Sequence, residues 1–197
     1  MNLKGTKTAS NLMASFAGES QARMRYDFWA GIAKKEGYVQ IANVFTETAE
    51  QERSHAKRFF KFLNDDPEIR HHEVSIEADF PVLLGNTAEN LKSAAEGENE
   101  EHAHLYPEFA RIAKEEGFPE LANLWNNISI AEEFHENRFL KLYNDLLAGT
   151  TFIKAETTDW KCNNCGYVLH SKQAPKVCPA CDHAQAHFEV NTFFFTK

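Results

Sequence analysis

One tetrapeptide pattern occurs twice, in register, within this chain. Glu52-Arg53-Ser54-His55 recurs eighty residues later as Glu132-Glu133-Phe134-His135. The flanks repeat with it: Arg58-Phe59 matches Arg138-Phe139, and Ala33-Lys34-Lys35-Glu36-Gly37-Tyr38 matches Ala113-Lys114-Glu115-Glu116-Gly117-Phe118. A carboxylate and an imidazole three residues apart on a helix point the same way, so each copy offers two ligands to one metal. Two such helices facing each other make a dinuclear site.

The helical periodicity supports that placement. Ile41, Phe45, Thr48, Glu52, His55, Phe59 and Phe62 form a stripe, repeated by Leu121, Trp125, Ile128, Glu132, His135, Phe139 and Leu142. A first helix contributes Leu12, Ser15, Glu19, Ala22, Tyr26, Trp29 and Ala33, and a third contributes Leu91, Ala94, Glu98, Glu101, Leu105, Phe109 and Ile112. These are the core-facing stripes of a bundle. Gly37 and Gly117 end helices within each half, Pro119 fits the first turn of the fourth helix, and Asn86-Thr87-Ala88-Glu89 reads as a capping box opening the third. Pro107 predicts a local kink. Residues 65–85, with Pro67, Pro81 and Gly85, form a long link between two helical hairpins. That organisation is an all-α four-helix, ferritin-like bundle over residues 1–148, followed by a small β/loop domain over 149–197.

The stripes carry charge where leucine would be ordinary. Glu52 lies fifteen residues after Gly37 and Glu19 eighteen before it; Glu132 and Glu98 lie fifteen after and nineteen before Gly117. Along antiparallel helices this places all four carboxylates within about one turn of a common level. Buried carboxylates converging without cations are very costly, and no basic residue lies on these stripes. Glu19, Glu52, His55, Glu98, Glu132 and His135 therefore read as the donor set of a dinuclear carboxylate bundle. Glu101 occupies the place where the first helix has Ala22, so a seventh donor at one metal makes the two positions inequivalent. Tyr26 and Tyr106 recur at nearly matching positions and read as hydrogen-bonding partners of the ligands. His71, His72, His102 and His104 lie off the stripes and read as solvated.

All four cysteines fall in the last 36 residues, as Cys162-x-x-Cys165 and Cys178-x-x-Cys181. Four thiolates at that spacing form a tetrahedral site for zinc or iron. A structural zinc ribbon uses nearly the same spacing. The Cys-x-x-Cys-Gly-Tyr and Cys-Pro-x-Cys knuckles, with Trp160, Tyr167, Phe188 and Phe193 to Phe195 for a small core, favour iron. The body of the chain has no cysteine and so no thiol peroxidase centre, and no Gly-x-Gly-x-x-Gly occurs. A net charge of −8 argues against general affinity for nucleic acid or anionic membrane. Met1 to Ser10 lacks a signal-peptide core and no later run approaches ~20 apolar residues, so a soluble cytoplasmic protein is expected.

The combination resembles the rubrerythrin family over essentially the whole chain. The marks are Gly18-Glu19-Ser20, Glu52-x-x-His55, Gly97-Glu98-Asn99-Glu100-Glu101, Glu132-x-x-His135 and the rubredoxin knuckles. The resemblance implies a non-haem di-iron peroxidase reducing hydrogen peroxide to water, with two irons in the bundle and one on Cys162, Cys165, Cys178 and Cys181. It implies Glu52 and Glu132 as bridges, Glu19 and Glu98 as terminal ligands, His135 on one iron, and the other iron shifting between Glu101 when oxidised and His55 when reduced. It also implies a head-to-tail homodimer. With no nicotinamide fold in the chain, electrons come from a separate NAD(P)H-dependent reductase or a rubredoxin. Two other function classes are compatible with the bundle: a ferroxidase handling iron with dioxygen, and an electron-transfer or regulatory module in which the dinuclear site is a structural staple.

Overall fold

The computed structural model describes residues 2–192. The bundle is built from α1 (Lys7–Lys35), α2 (Val39–Asp65), a composite third helix and α5 (Pro119–Leu147); the third helix consists of α3 (Thr87–Glu100), a π-helical turn (Glu101–Leu105) and α4 (Tyr106–Glu115). Gly37 and Gly117 sit at φ of +90° and +86°, a left-handed conformation that a Cβ would strain. Around each glycine the chain closes with a matching bond, Tyr38 N to Ala33 O at 2.8 Å and Phe118 N to Ala113 O at 2.7 Å. The capping box at Asn86 and Glu89 is formed. In the long link, the Leu83 carbonyl accepts from Trp29 Nε1 at 3.1 Å. The result is a four-helix ferritin-like bundle with a small sheet domain at its C-terminal end.

A π turn precedes Pro107, the position at which the sequence predicts a kink. Proline has no N–H to return to the carbonyl four residues back, and the helix widens just before it, with the Tyr106 N–H donating to Glu101 O. The turn absorbs one extra residue. Ahead of it the two halves correspond at an offset of 79 (Glu19 with Glu98), and beyond it at 80 (Tyr26 with Tyr106). This corrects the third stripe: Leu105 is 39% exposed, whereas Tyr106, Ala110 and Ala113 are buried. The core face moves one residue along the chain because the bulge rotates α4.

Two apolar clusters sandwich the level of the carboxylates. Leu12, Phe59, Tyr106, Leu121 and Trp125 pack on one side; Tyr26, Trp29, Phe45, Leu91 and Phe139 pack on the other. The bundle ends are stapled reciprocally. Glu116 accepts from Lys7 N at 3.0 Å, Thr8 N at 2.8 Å and Thr8 Oγ1 at 2.5 Å. Its repeat counterpart Glu36 accepts from Thr87 N at 3.0 Å. Each carboxylate thus neutralises the start of the opposite half's helix. Burial opposes ionisation of Glu116, but the Thr8 hydroxyl and the Thr8 and Lys7 amides prevail and lower its pKa. Its contribution is therefore present above the ordinary glutamate range and is lost as pH falls through the lowered value. Glu116→Ala is expected to lose about 1 kcal/mol, read as a lower thermal midpoint near neutral pH that converges with wild type in acid.

The C-terminal sheet has order β2-β1-β3, with β1 (Ile153–Cys162) antiparallel to β2 (Val168–Gln173) and β3 (Phe188–Val190). Trp160, Phe188, Cys162 and Cys178 form its buried centre, with Tyr167 packed alongside. Phe193 to Phe195 lie outside the described residues. The domain rests on the α1–α2 turn, where Tyr38 and Phe152 stack with centroids 6.2 Å apart. Among the described residues no helix is long and apolar enough to cross a membrane.

Candidate metal centres

The two Glu-x-x-His helices and the two single-glutamate helices bring their donors into overlapping groups. Donor atoms of Glu19, Glu52, His55 and Glu132 all lie within 4.8 Å of one another, as do those of Glu52, Glu98, Glu132 and His135. Glu52 and Glu132 belong to both. His55 Nδ1 is 3.0 Å from Glu52 Oε2, 2.9 Å from Glu132 Oε1 and 3.8 Å from Glu19 Oε2. His135 Nδ1 is 2.8 Å from Glu132 Oε2, 3.1 Å from Glu52 Oε1 and 3.7 Å from Glu98 Oε2. Glu101 falls in neither group. Its Oε1 lies beside α1, 3.6 Å from where a Cβ on Gly18 would sit.

The tyrosines cross-brace the halves. Tyr26 Oη donates to Glu98 Oε1 and Tyr106 Oη donates to Glu19 Oε1, each at 2.5 Å. The one-residue bulge before Tyr106 places that ring in register with Glu19, so the two hydroxyls reach the carboxylates from opposite sides of the layer. Burial, then the facing carboxylates, push both phenols well up, so they remain neutral donors.

Electrostatically, this layer calls for cations. Burial pushes Glu19 up to about 7 and raises Glu98 well above the carboxylate range; Glu101 is raised by burial and by Glu19 and Glu98. Burial opposes charge on His55 and His135, but the surrounding carboxylates outweigh it and raise both. Even so, Glu19 Oε2, Glu52 Oε1, Glu98 Oε2, both Glu132 oxygens and His135 Nδ1 are buried with no hydrogen-bond partner among the described residues. Orphaned acceptors of that number are rare in a finished core. Oxygen and imidazole donors aimed at two common points fit a pair of iron ions, which would take the place of the protons held there.

In the tail, the four Sγ atoms also lie within 4.8 Å of one another. Cys162 and Cys181 are 3.8 Å apart at sulfur, and Cys165 and Cys178 are 3.7 Å apart. A tetrahedron with metal–sulfur bonds of about 2.3 Å has edges of about 3.8 Å, so the thiols fit one ion and form no disulfide. The knuckles turn through left-handed residues just after their second cysteine, Gly166 at φ +78° and Asp182 at +58°. The second turn aims the His183 amide at Cys181, the first cause of a thiol pulled down to about 6.

Two neighbours of the bundle site escaped the sequence reading. His102, expected to be solvated, is largely covered, with Nε2 2.6 Å from Glu136 Oε2; Asn99 Nδ2 donates to the other oxygen of that carboxylate at 3.1 Å. His102 follows Asn99 by three residues, so both side chains face the same carboxylate on α5. Gln51 Oε1 lies 2.9 Å from His135 Nε2. Its signal was a polar residue directly before a core glutamate, with alanine at the equivalent place in the other half.

Comparison with known proteins agrees in both parts of the chain. A family model described as Rubrerythrin matches residues 10–143, and one described as the rubrerythrin rubredoxin-like domain matches residues 160–189. The chain is 55% identical to a rubrerythrin of Clostridium perfringens and 48% identical to one of Nitratidesulfovibrio vulgaris, with 96% of this chain and 96% of each relative covered. A solved structure of nigerythrin in a partially reduced state superimposes with a TM-score of 0.63 at 29% identity, covering 96% of this chain and 92% of that one. Fold and matches define an iron-binding, ferritin-like protein with a di-iron domain and a rubredoxin-like domain. The chain belongs to the rubrerythrin family.

Proposed function

We propose that this protein is a peroxidase that reduces hydrogen peroxide to water, using two irons in the bundle and one in the tail. The observation that carries this reading is the pair of donor groups sharing Glu52 and Glu132, on the same chain as a four-thiolate site. Glu52 and Glu132, common to both donor groups, would serve both irons; Glu19 and His55 would hold one, with Glu101 as the alternative to His55, and Glu98 and His135 would hold the other. Tyr26 and Tyr106 hold Glu98 and Glu19 in orientation by donating to them. The apolar clusters on either side keep bulk water from the layer. When bound, the two ferrous ions supply the two electrons that, with two protons, convert one hydrogen peroxide into two waters, and the tail iron returns electrons singly.

Electrons reach the tail from an external NAD(P)H-dependent reductase or rubredoxin. Within one chain the tail packs at the Gly37 turn, and Glu52 lies about 22 Å further along α2. A head-to-tail homodimer, which sets one tail against the partner's bundle, shortens that path. Four free thiols favour the reducing cytoplasm.

Iron-loaded protein supplied with a reduced donor is expected to consume one peroxide per two electrons without evolving dioxygen. Consumption of dioxygen with iron accumulating beyond the sites would make the protein a ferroxidase instead. Tyr26→Phe, which deprives Glu98 of its donor, is expected to lower turnover by about tenfold to a hundredfold while Tyr143→Phe, remote from the carboxylates, leaves it unchanged.

A further inference from the structure

The two histidines of the bundle site are equivalent in the repeat and unequal in their support. His135 Nε2 meets Gln51 Oε1 at 2.9 Å. The Gln51 amide is oriented by its other end, where Nε2 donates to Glu47 Oε1 at 3.4 Å. Glu47 is fixed in turn by Arg138, whose Nη2 donates to Glu47 Oε2 at 2.7 Å. Arg138 belongs to the same helix as His135, so the relay Arg138–Glu47–Gln51–His135 ties α5 to α2 and returns to α5. With its oxygen toward the ring, Gln51 accepts from Nε2–H. That fixes the tautomer and leaves Nδ1, the atom facing Glu52, Glu98 and Glu132, as the donor nitrogen.

The other half cannot build this relay. Arg58 is the counterpart of Arg138, but Asn127 stands where Glu47 would be and Ala131 where Gln51 would be. Arg58 lies over the Phe62 ring instead, 4.9 Å from its centroid. Among the described residues, His55 has hydrogen-bonding contacts at Nδ1 alone, with no partner for Nε2. Its side chain is 17% exposed against 3% for His135.

We propose that Gln51 is a positioning residue that makes His135 the permanent imidazole ligand, and that the lack of its counterpart at Ala131 leaves His55 free to come and go. This rests on the metal reading above and adds to it the residue that decides which imidazole is fixed. An anchored ring loses little further freedom on binding, whereas an unanchored ring with a carboxylate nearby as substitute is readily exchanged. The asymmetry would then be set from outside the donor set, by one amide on α2.

The test is proton NMR of the diferrous protein in water, following the hyperfine-shifted Nε2–H resonances of the two imidazoles and their exchange with solvent. In wild type the His135 N–H is expected to exchange at least about tenfold more slowly than that of His55, the weight of one net hydrogen bond. Gln51→Leu is expected to bring the two to parity, and Gln51→Glu, which keeps the acceptor, to preserve the slow signal. Ala131→Gln offers His55 an acceptor and is expected to slow its exchange about tenfold, a test that stands even if Gln51→Leu does not fold. A slow signal that survives Gln51→Leu, or a His55 signal unmoved by Ala131→Gln, overturns the proposal while leaving the metal reading intact. No shifted imidazole N–H at all in iron-replete wild type removes the metal reading, and the proposal with it.

Discussion

Glu132→Ala is expected to empty the bundle of both irons. Glu132 is the donor whose two oxygens approach both imidazoles most closely, at 2.9 Å from His55 Nδ1 and 2.8 Å from His135 Nδ1. Neither oxygen has a hydrogen-bond partner among the described residues. Truncation removes one donor from each group at once, leaving Glu19, Glu52 and His55 on one side and Glu52, Glu98 and His135 on the other. Peroxide turnover is expected to fall by about a thousandfold or more, given that removing only a supporting partner of a metal ligand costs about tenfold to a hundredfold. The stabilisation conferred by iron disappears too; for one site at a thousandfold excess over Kd that is about 4 kcal/mol. Metal analysis and thermal melts with and without iron check this. Glu133→Ala, one residue away on the solvent side, is the control that should behave as wild type. Retention of two irons by Glu132→Ala would contradict the bridging role proposed for it.

The second large effect is at Cys162, a fully buried member of the thiolate group. Cys162→Ser is expected to abolish the visible ferric-thiolate band and to lower reductase-driven turnover by at least about a hundredfold. The hydroxyl is a hard donor where the site presents soft ones. The bundle lies apart from this change, so its ferrous iron should still be oxidised by a single addition of peroxide. Steady-state and single-addition assays on one preparation separate these outcomes. Undiminished reductase-driven turnover would show that electrons bypass the tail.

Most of the bundle was legible because helical periodicity and burial constrain the same residues. Glu19, Glu52, Glu98 and Glu132 could be levelled by counting from Gly37 and Gly117, since a helix has a fixed rise per residue. That count also held the clue that went unread. Eighteen residues separate Glu19 from Gly37 but nineteen separate Glu98 from Gly117, and the extra residue is the π turn. A stripe extended through it at constant period picks Leu105, Phe109 and Ile112, where the chain buries Tyr106, Ala110 and Ala113. His102 was misread because it lies off the stripe and its partner, Glu136, is on another helix. Bulges of this kind are characteristic of functional sites, and here the bulge aligns Tyr106 with Glu19. Gln51 left only the contrast with Ala131 as a signal: its partner is also on another helix, and only the crossing of α2 and α5 brings Gln51 to His135. In the tail, Cys-x-x-Cys spacing specified the tetrahedron because each knuckle is a local turn, whereas the packing of Phe152 on Tyr38 is a tertiary contact without a sequence signal.

The most direct test of peroxidase function is an anaerobic stopped-flow experiment on fully reduced, iron-loaded protein, mixed with hydrogen peroxide and separately with dioxygen. The return of the ferric-thiolate band reports electrons leaving the tail toward the bundle. Fast return with peroxide and slow return with dioxygen is the expected result. Faster return with dioxygen, or no such band in iron-replete protein, would contradict a peroxidase fed through its own four-cysteine site.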